Sequence, residues 1–263
     1  MRIRNVFLLF AMVGLPPVSQ AQLSFGPEVI IDGTIASGSD IATTDFNNDG
    51  LLDLVVIEAV PGLVSQGYVY PGLQGAGFGP RVNLNISSLL APVAVMVGDF
   101  AENGLADVLV IDAFFGDTLL FRNLGGFTFS SGSAGPSPGA TADAVATDLN
   151  ADGHVDFVAA LPLSQGGRVY FGTGTGGFTA GPLLAALSVP LSVAVADMNG
   201  DTHLDVIFGL NAGAGGGITI RLNNGAAAWT ANTFIPGPVG VGTMLPGDPR
   251  ATISAWRSLA WPC

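Results

Sequence analysis

The sequence predicts an all-β protein, a β-propeller of four-stranded blades, and three observations carry that expectation. Four acidic segments recur: Asp45-Phe-Asn-Asn-Asp-Gly-Leu-Leu-Asp53, Asp99-Phe-Ala-Glu-Asn-Gly-Leu-Ala-Asp107, Asp148-Leu-Asn-Ala-Asp-Gly-His-Val-Asp156 and Asp197-Met-Asn-Gly-Asp-Thr-His-Leu-Asp205. Their first residues lie 54, 49 and 49 positions apart, and a fixed period of this size marks a repeat architecture. A second signature, small residues closing on an aromatic, follows each segment: Gly75-Ala-Gly-Phe78, Leu124-Gly-Gly-Phe127, Gly176-Gly-Phe178 and Gly225-Ala-Ala-Ala-Trp229. Between the signatures the apolar runs are short, and none sustains a helical period. Four short strands per repeat is the composition of one propeller blade.

The elements follow in order. Ile41 to Thr44 leads into the first acidic loop and Leu52 to Ile57 leaves it, with Tyr68 to Tyr70 and Arg81 to Ile86 completing the repeat. Val93 to Val97, Val108 to Ile111 and Leu119 to Arg122 repeat the order, as do Ala144 to Ala146, Phe157 to Ala160 and Val169 to Phe171. Phe25-Gly-Pro-Glu-Val-Ile-Ile31 resembles Phe78-Gly-Pro-Arg-Val-Asn-Leu84, so the N-terminal stretch reads as an orphan outer strand that would complete a last blade. Pro246-Gly-Asp248 opens a fifth repeat whose Asp/Asn/Gly pattern then fails. The expected division is a propeller over 22–240 and a partial fifth repeat and tail over 241–263. On this reading the chain is a truncated or frame-shifted piece of a larger ring.

Residues 1–21 read as a secretory signal. Arg2 and Arg4 precede the apolar stretch Val6 to Leu15, and Ser19-Gln20-Ala21 supplies small residues at a cleavage site. Without it, six Arg face 20 acids, a net charge of −14. The chain has no Lys, and that balance excludes a nucleic-acid footprint. No later apolar run reaches the roughly 18 residues of a membrane helix. With 11% charged and 49% hydrophobic residues, disorder and helix bundles are also excluded. Cys263 is the only cysteine, so no internal disulfide can form. The expected location is secreted, periplasmic or at the cell surface.

The loops carry the chemistry. In the first, third and fourth, positions 1, 3, 5 and 9 all offer side-chain oxygens, and clustered hard oxygens suit Ca²⁺. Gly50 and Gly153 at position 6 permit the positive φ that turns the chain back, so that position 7 can present its carbonyl. A strand follows each loop, which makes it a β-hairpin loop, not an EF-hand. Asp at position 9 begins a strand, where turn chemistry alone gives it no purpose.

These Asp-x-Asn-x-Asp-Gly-x-x-Asp loops, with a downstream Gly-Gly-Phe or Phe-Gly-Pro, resemble FG-GAP/VCBS repeats over about residues 24–240. The resemblance implies the β-propeller of integrin alpha chains and Ca²⁺ as the bound ion, held by side chains 1, 3, 5 and 9 and carbonyl 7. By position the ligands are Asp45, Asn47, Asp49, Leu51 and Asp53, then Asp148, Asn150, Asp152, His154 and Asp156, then Asp197, Asn199, Asp201, His203 and Asp205. The second loop keeps Asp99, Asn103 and Asp107 but has Ala101 at position 3, so it is expected to bind weakly or stay empty. The fourth has Thr202 in place of Gly, and a β-branched residue resists positive φ.

No catalytic residue is assigned. The two histidines, His154 and His203, both sit at position 7, where their side chains are expected to face solvent. Gly172-Thr-Gly-Thr-Gly-Gly177 fits a dinucleotide fingerprint by letter but has no helix to receive a pyrophosphate. The expected function is an exported, calcium-binding module that binds or adheres to an extracellular protein or glycan. The rival readings are a calcium-dependent polysaccharide lyase or hydrolase built on a propeller, and a passive matrix protein.

Overall fold

The structure is a computed structural model that describes residues 31–35, 37–59, 64–75, 77–130, 132–211, 216–225 and 229–236. The predicted signal segment (1–21), residues 25–30 of the orphan strand and the fifth repeat and tail (241–263) lie outside the described residues.

Four antiparallel four-stranded sheets follow one another along the chain. Blade 1 is β1 (Gly38–Thr44), β2 (Asp53–Glu58), β3 (Gln66–Tyr70) and β6 (Val82–Leu84), with a small β4–β5 hairpin (Gly72–Leu73, Gly77–Phe78) inserted before its outer strand. Blade 2 is β7 (Pro92–Gly98), β8 (Asp107–Asp112), β9 (Thr118–Phe121) and β10 (Ser133–Ala134). Blade 3 is β11 (Asp143–Thr147), β12 (Asp156–Leu161), β13 (Gly166–Gly172) and β14 (Phe178–Ala185). Blade 4 is β15 (Pro190–Ala196), β16 (Asp205–Leu210), β17 (Gly217–Asn223) and β18 (Trp229–Pro236). Apart from the orphan strand, the predicted strands are all present. The hairpin β4–β5 and a 3₁₀ turn at Pro162–Ser164 had no signal in the apolar pattern.

The second strand of each blade is the hub. It is apolar without interruption because both of its faces are covered. In β8, Val108 and Val110 pack toward blade 1, whereas Leu109 and Ile111 pack toward blade 3. In β12, Phe157 and Ala159 turn back to blade 2, and Val158 and Ala160 forward to blade 4. One face of each sheet therefore completes the core of the previous blade and the other begins the next. The two repeat signatures fill the ends of these cores. Position 2 of the first three loops points forward: Phe46, Phe100 and Leu149 are buried in the 1|2, 2|3 and 3|4 joints, whereas Met198 of the fourth is exposed. The turn aromatic points back, with Phe127, Phe178 and Trp229 entering the same three joints. At the joint between blades 2 and 3, Phe157 stacks on Tyr170 at 4.7 Å and meets Phe178 edge-on at 5.0 Å.

Polar contacts across the joints alternate in kind. At 1|2, Asn123 Nδ2 donates to the Phe46 carbonyl at 2.7 Å, and the Val95 N–H donates to Asp40 Oδ2 at 2.9 Å. At 3|4, Asn223 Nδ2 donates to the Leu149 carbonyl at 2.8 Å, and the Val193 N–H to Asp143 Oδ2 at 2.9 Å. The joint at 2|3 has neither device. Ala94 stands where Asp40 and Asp143 stand in their blades, and Gly172 where the asparagines stand. There the Phe100 carbonyl accepts the Gly176 N–H at 2.7 Å, Arg122 donates to the Thr175 carbonyl, and His154 pairs with Glu102. Blades 1 and 3 cannot carry the asparagine, because a Cβ at Gly72 or Gly172 would sit 2.3 Å or 2.4 Å from a backbone oxygen. The structural period is thus two blades.

Asn123 is fully buried and its amide also reaches the Ala106 carbonyl at 3.0 Å. Asn123→Ala leaves both carbonyls without this donor and should lower the unfolding free energy by about 1–3 kcal/mol in urea titrations. The exposed Asn83→Ala should stay within about 0.5 kcal/mol of the parent. Equal, small losses from both would contradict the joint described here.

Candidate metal loops

Each acidic loop is the same eight-residue connection. Thr44 pairs with Asp53, Gly98 with Asp107, Thr147 with Asp156 and Ala196 with Asp205, so position 9 always opens the second strand. Position 1 gathers the backbone. Asp45 Oδ1 accepts the Asp49 N–H at 3.1 Å and Oδ2 the Gly50 N–H at 2.7 Å. Asp148 does the same with Asp152 and Gly153, and Asp197 with Asp201 and Thr202. Positions 3 and 5 are tied to each other: Asn47 Nδ2 lies 2.9 Å from Asp49 Oδ2, Asn150 2.8 Å from Asp152, and Asn199 2.9 Å from Asp201. Three loops thus hold side-chain oxygens 1, 3 and 5 on one exposed turn.

Backbone N–H groups favour the charged form of three of these carboxylates, Asp45, Asp152 and Asp197. For Asp45 desolvation is the largest single cause and pushes it up, but the N–H groups of Gly50, Asp49, Asn48 and Asn47 together outweigh it and hold it below the usual carboxylate range. The His154 N–H lowers Asp152 in the same way, and the Thr202 N–H lowers Asp197.

Position 9 is different. Asp53, Asp107, Asp156 and Asp205 are fully buried, and each carboxylate accepts two backbone N–H groups. Asp53 takes Phe46 at 2.7 Å and Gly72 at 2.6 Å, and Asp156 takes Leu149 at 2.9 Å and Gly172 at 2.8 Å. Asp205 takes Met198 and Asn223, both at 2.8 Å. Asp107 takes Ala101 at 3.0 Å and Asn123 at 2.7 Å, although its loop lacks the oxygens at position 3. The carboxylate therefore ties the loop to the end of the third strand whether or not the loop can hold an ion. Burial pushes Asp53, Asp107 and Asp156 up, against the pull of those N–H groups, and the charges of Asp45 and Asp49 push Asp53 further. This gives position 9 the structural purpose that turn chemistry did not supply.

The backbone needs the left-handed region twice per loop. Position 4 has positive φ at Asn48 (60°), Glu102 (51°), Ala151 (59°) and Gly200 (79°). Position 6 has it at Gly50 (83°), Gly104 (82°), Gly153 (91°) and Thr202 (72°). The fourth loop has moved its glycine from position 6 to position 4, and Thr202 adopts the conformation it resists.

Loop 2 closes on itself. Asn103 Oδ1 accepts the Leu105 N–H at 3.0 Å while its Nδ2 donates to the Asn123 carbonyl at 2.9 Å. The histidines do not face solvent freely as the sequence suggested. His154 reaches across to Glu102 of loop 2, a carboxylate whose hydrogen bond raises the imidazole above its ordinary range. His203 packs on the Gly225 turn of its own blade, where a Cβ would lie 2.4 Å from the ring. Sequence reading missed Asp40, Asp143, Asn123 and Asn223. The first two had a signal, since Ser-Asp-Ile-Ala-Thr-Thr-Asp45 and Ala-Asp-Ala-Val-Ala-Thr-Asp148 match across two blades.

Among the described residues no three Asp, Glu, His or Cys side chains form a closed metal cluster. Loops 1, 3 and 4 instead each bring two carboxylates and one amide oxygen onto one exposed turn, with the buried carboxylate behind. All are hard oxygens, so the residues fit a Ca²⁺ ion.

Successive four-stranded sheets, each with an acidic hairpin loop between its first two strands, define a propeller-type repeat protein. The FG-GAP-like repeat pattern matches residues 45–110, 99–159 and 148–208, and the chain belongs to that family. No curated protein matches it. Among solved structures it is similar to a lectin from Agrocybe aegerita described for specific recognition of non-reducing terminal N-acetylglucosamine. The TM-score is 0.55 at 18% identity, over 73% of this chain and 50% of the lectin, so the chain spans half of that protein's length. That likeness is one of fold.

Two substitutions test the loop account. Thr202→Gly should raise stability by about 1 kcal/mol, because a left-handed residue with a Cβ costs about that much; a loss would contradict the strain. In metal-free buffer Asp107→Ala and Asp156→Ala should each cost about 3 kcal/mol or more, since both strand two buried N–H groups. A harmless Asp107→Ala would remove the structural role of position 9.

Proposed function

We propose that this protein is an extracellular, calcium-binding propeller that acts as a binding module for glycans or proteins and carries out no catalysis itself. The observation that carries the reading is the recurrence, in loops 1, 3 and 4, of carboxylates at positions 1 and 5 beside an amide oxygen at position 3. Asp45, Asn47, Asp49 and the Leu51 carbonyl would hold the first ion, with Asp53 behind them. Asp148, Asn150, Asp152 and the His154 carbonyl would hold the second, backed by Asp156. Asp197, Asn199, Asp201 and the His203 carbonyl, backed by Asp205, would hold the third. Bound Ca²⁺ would supply the positive charge that offsets repulsion among these carboxylates. Asp99, Asn103 and Asp107 of loop 2 form no such set, because Ala101 offers no oxygen and the Asn103 amide is used within the protein.

A rigid scaffold presenting four loops on one rim suits recognition. His154 pairs with Glu102 of loop 2 and His203 packs against the Gly225 turn, contacts that the binding reading accounts for without a catalytic role. Membership of the FG-GAP-like family and the predicted signal segment support an extracellular location. The lectin likeness makes glycans the first class to test.

Metal analysis of the purified chain should give three Ca²⁺, reduced by one in Asp49→Ala and in Asp152→Ala and unchanged in Asn103→Ala. An equal loss from all three variants would sink the ranking of the loops. A glycan array probed in millimolar Ca²⁺, with terminal N-acetylglucosamine included, should give calcium-dependent binders. Turnover of polysaccharide without retention on any array would reverse the reading in favour of an enzyme.

A further inference from the structure

Asp40 and Asp143 occupy matching places on the inner strands β1 and β11, five residues before the first aspartate of their loops. Each is half-buried on the inner side of the arc. Asp40 Oδ2 accepts the Val95 N–H of β7 at 2.9 Å, and Asp143 Oδ2 accepts the Val193 N–H of β15 at 2.9 Å. Asp143 Oδ1 also accepts the Ala144 N–H at 2.9 Å. Inner strands β1 and β11 both pack against β7, so one strand carries both like charges on its flanks, and the Asp40 charge disfavours ionisation of Asp143. Of the elements around them, β7 and β15 bear no titratable side chain. β2 contributes Glu58, beside the Ile57 that pairs with Asp40, and β12 contributes Asp156 at its far end. Arg168 lies on β13, a strand further out. Among the described residues, then, no cation answers these two negative charges.

We propose that Asp40 and Asp143 form a pH-sensitive latch, in which uptake of a proton on mild acidification tightens the joints between blades 1 and 2 and between blades 3 and 4. A protonated carboxyl still accepts the crossing N–H through its carbonyl oxygen, but it no longer carries a poorly solvated charge or repels its counterpart. Desolvation first, and the Asp40 charge after it, push Asp143 up to about 6, and desolvation raises Asp40 too. The sign follows. An acid whose folded value lies above its unfolded one stabilises the fold below the unfolded value, and that contribution is lost as pH rises through the folded value. From neutral pH down to about pH 5, this pair therefore adds stability, where acid usually removes it.

His154, Asp53, Asp107 and Asp156 shift in the same direction, so variants are needed to isolate the latch. With calcium held constant, carboxyl NMR titration should place the Asp143 midpoint near 6, and Asp40→Asn should move it toward the ordinary carboxylate range. Asp143→Asn, which keeps an oxygen for Val193, should melt higher than the parent at neutral pH and lose part of the gain between about pH 7 and pH 5. His154→Gln should leave the Asp143 midpoint unmoved. An Asp143 midpoint in the ordinary range would overturn the proposal. So would an Asp143→Asn variant that melts lower at neutral pH with its pH slope intact.

Discussion

Four buried aspartates, Asp53, Asp107, Asp156 and Asp205, hold the geometry on which the rest of the molecule depends. Each stands at the start of a central strand and spends both oxygens on backbone N–H groups from two other segments. One N–H comes from the acidic loop and the other from the end of the third strand, so a single side chain fixes three pieces of chain. Burial raises the cost of the charge, and two N–H donors offset it. With the loop anchored from behind, the exposed oxygens at positions 1, 3 and 5 of loops 1, 3 and 4 are held in place by the protein's own hydrogen bonds. The same anchoring fixes the direction of the position 2 residue, which is why Phe46, Phe100 and Leu149 reach the joints buried.

From that anchor the joints follow. Each blade offers the next a carbonyl at position 2, and the next blade answers it in one of two ways. Blades 2 and 4 send the amide of Asn123 or Asn223, whereas blade 3 sends the N–H of Gly176. The alternation persists on the inner strands, where Asp40 and Asp143 appear in blades 1 and 3. Single-blade repetition sets the apolar cores, and a two-blade repetition sets the polar contacts between them. On blade 1 the face turned away from blade 2 is covered by Ile31 and Ile35. Asp32 ties that segment down through the Tyr70 hydroxyl at 2.8 Å and Arg81 at 2.7 Å.

Much of this was legible in the residues. Apolar periodicity located the strands, because a strand buried on both faces must be apolar throughout, as Val108 to Ile111 is. Loop spacing located the blades. What could not be read was the partner of each polar group. Asp at position 9 looked like a ligand alone, since the N–H groups of Phe46 and Gly72 that it accepts lie 7 and 19 residues away. Asn123 was invisible for the same reason, its acceptor Phe46 being 77 residues distant. His154 was expected in solvent, yet a glutamate 52 residues earlier meets it. Thr202 was correctly read as strained, but the displacement of its glycine to position 200 became plain only from the backbone angles.

Calcium is the central functional claim, and it has an energetic consequence. The chain has one cysteine and carries an excess of acids, so neither a disulfide nor charge balance supports the loops. A site with a dissociation constant near 10⁻⁵ M stabilises by about 2.7 kcal/mol at millimolar calcium. Three such sites are a large share of a typical domain stability of about 5–15 kcal/mol. The most direct measurement is thermal unfolding in millimolar Ca²⁺ against excess chelator, with Mg²⁺ as a control. The account predicts a melting temperature lower by about ten degrees or more in chelator, and no recovery with Mg²⁺, which demands tighter octahedral geometry. Identical melting in calcium and in chelator would mean that the loops are turns held by their own hydrogen bonds, and would contradict the claim.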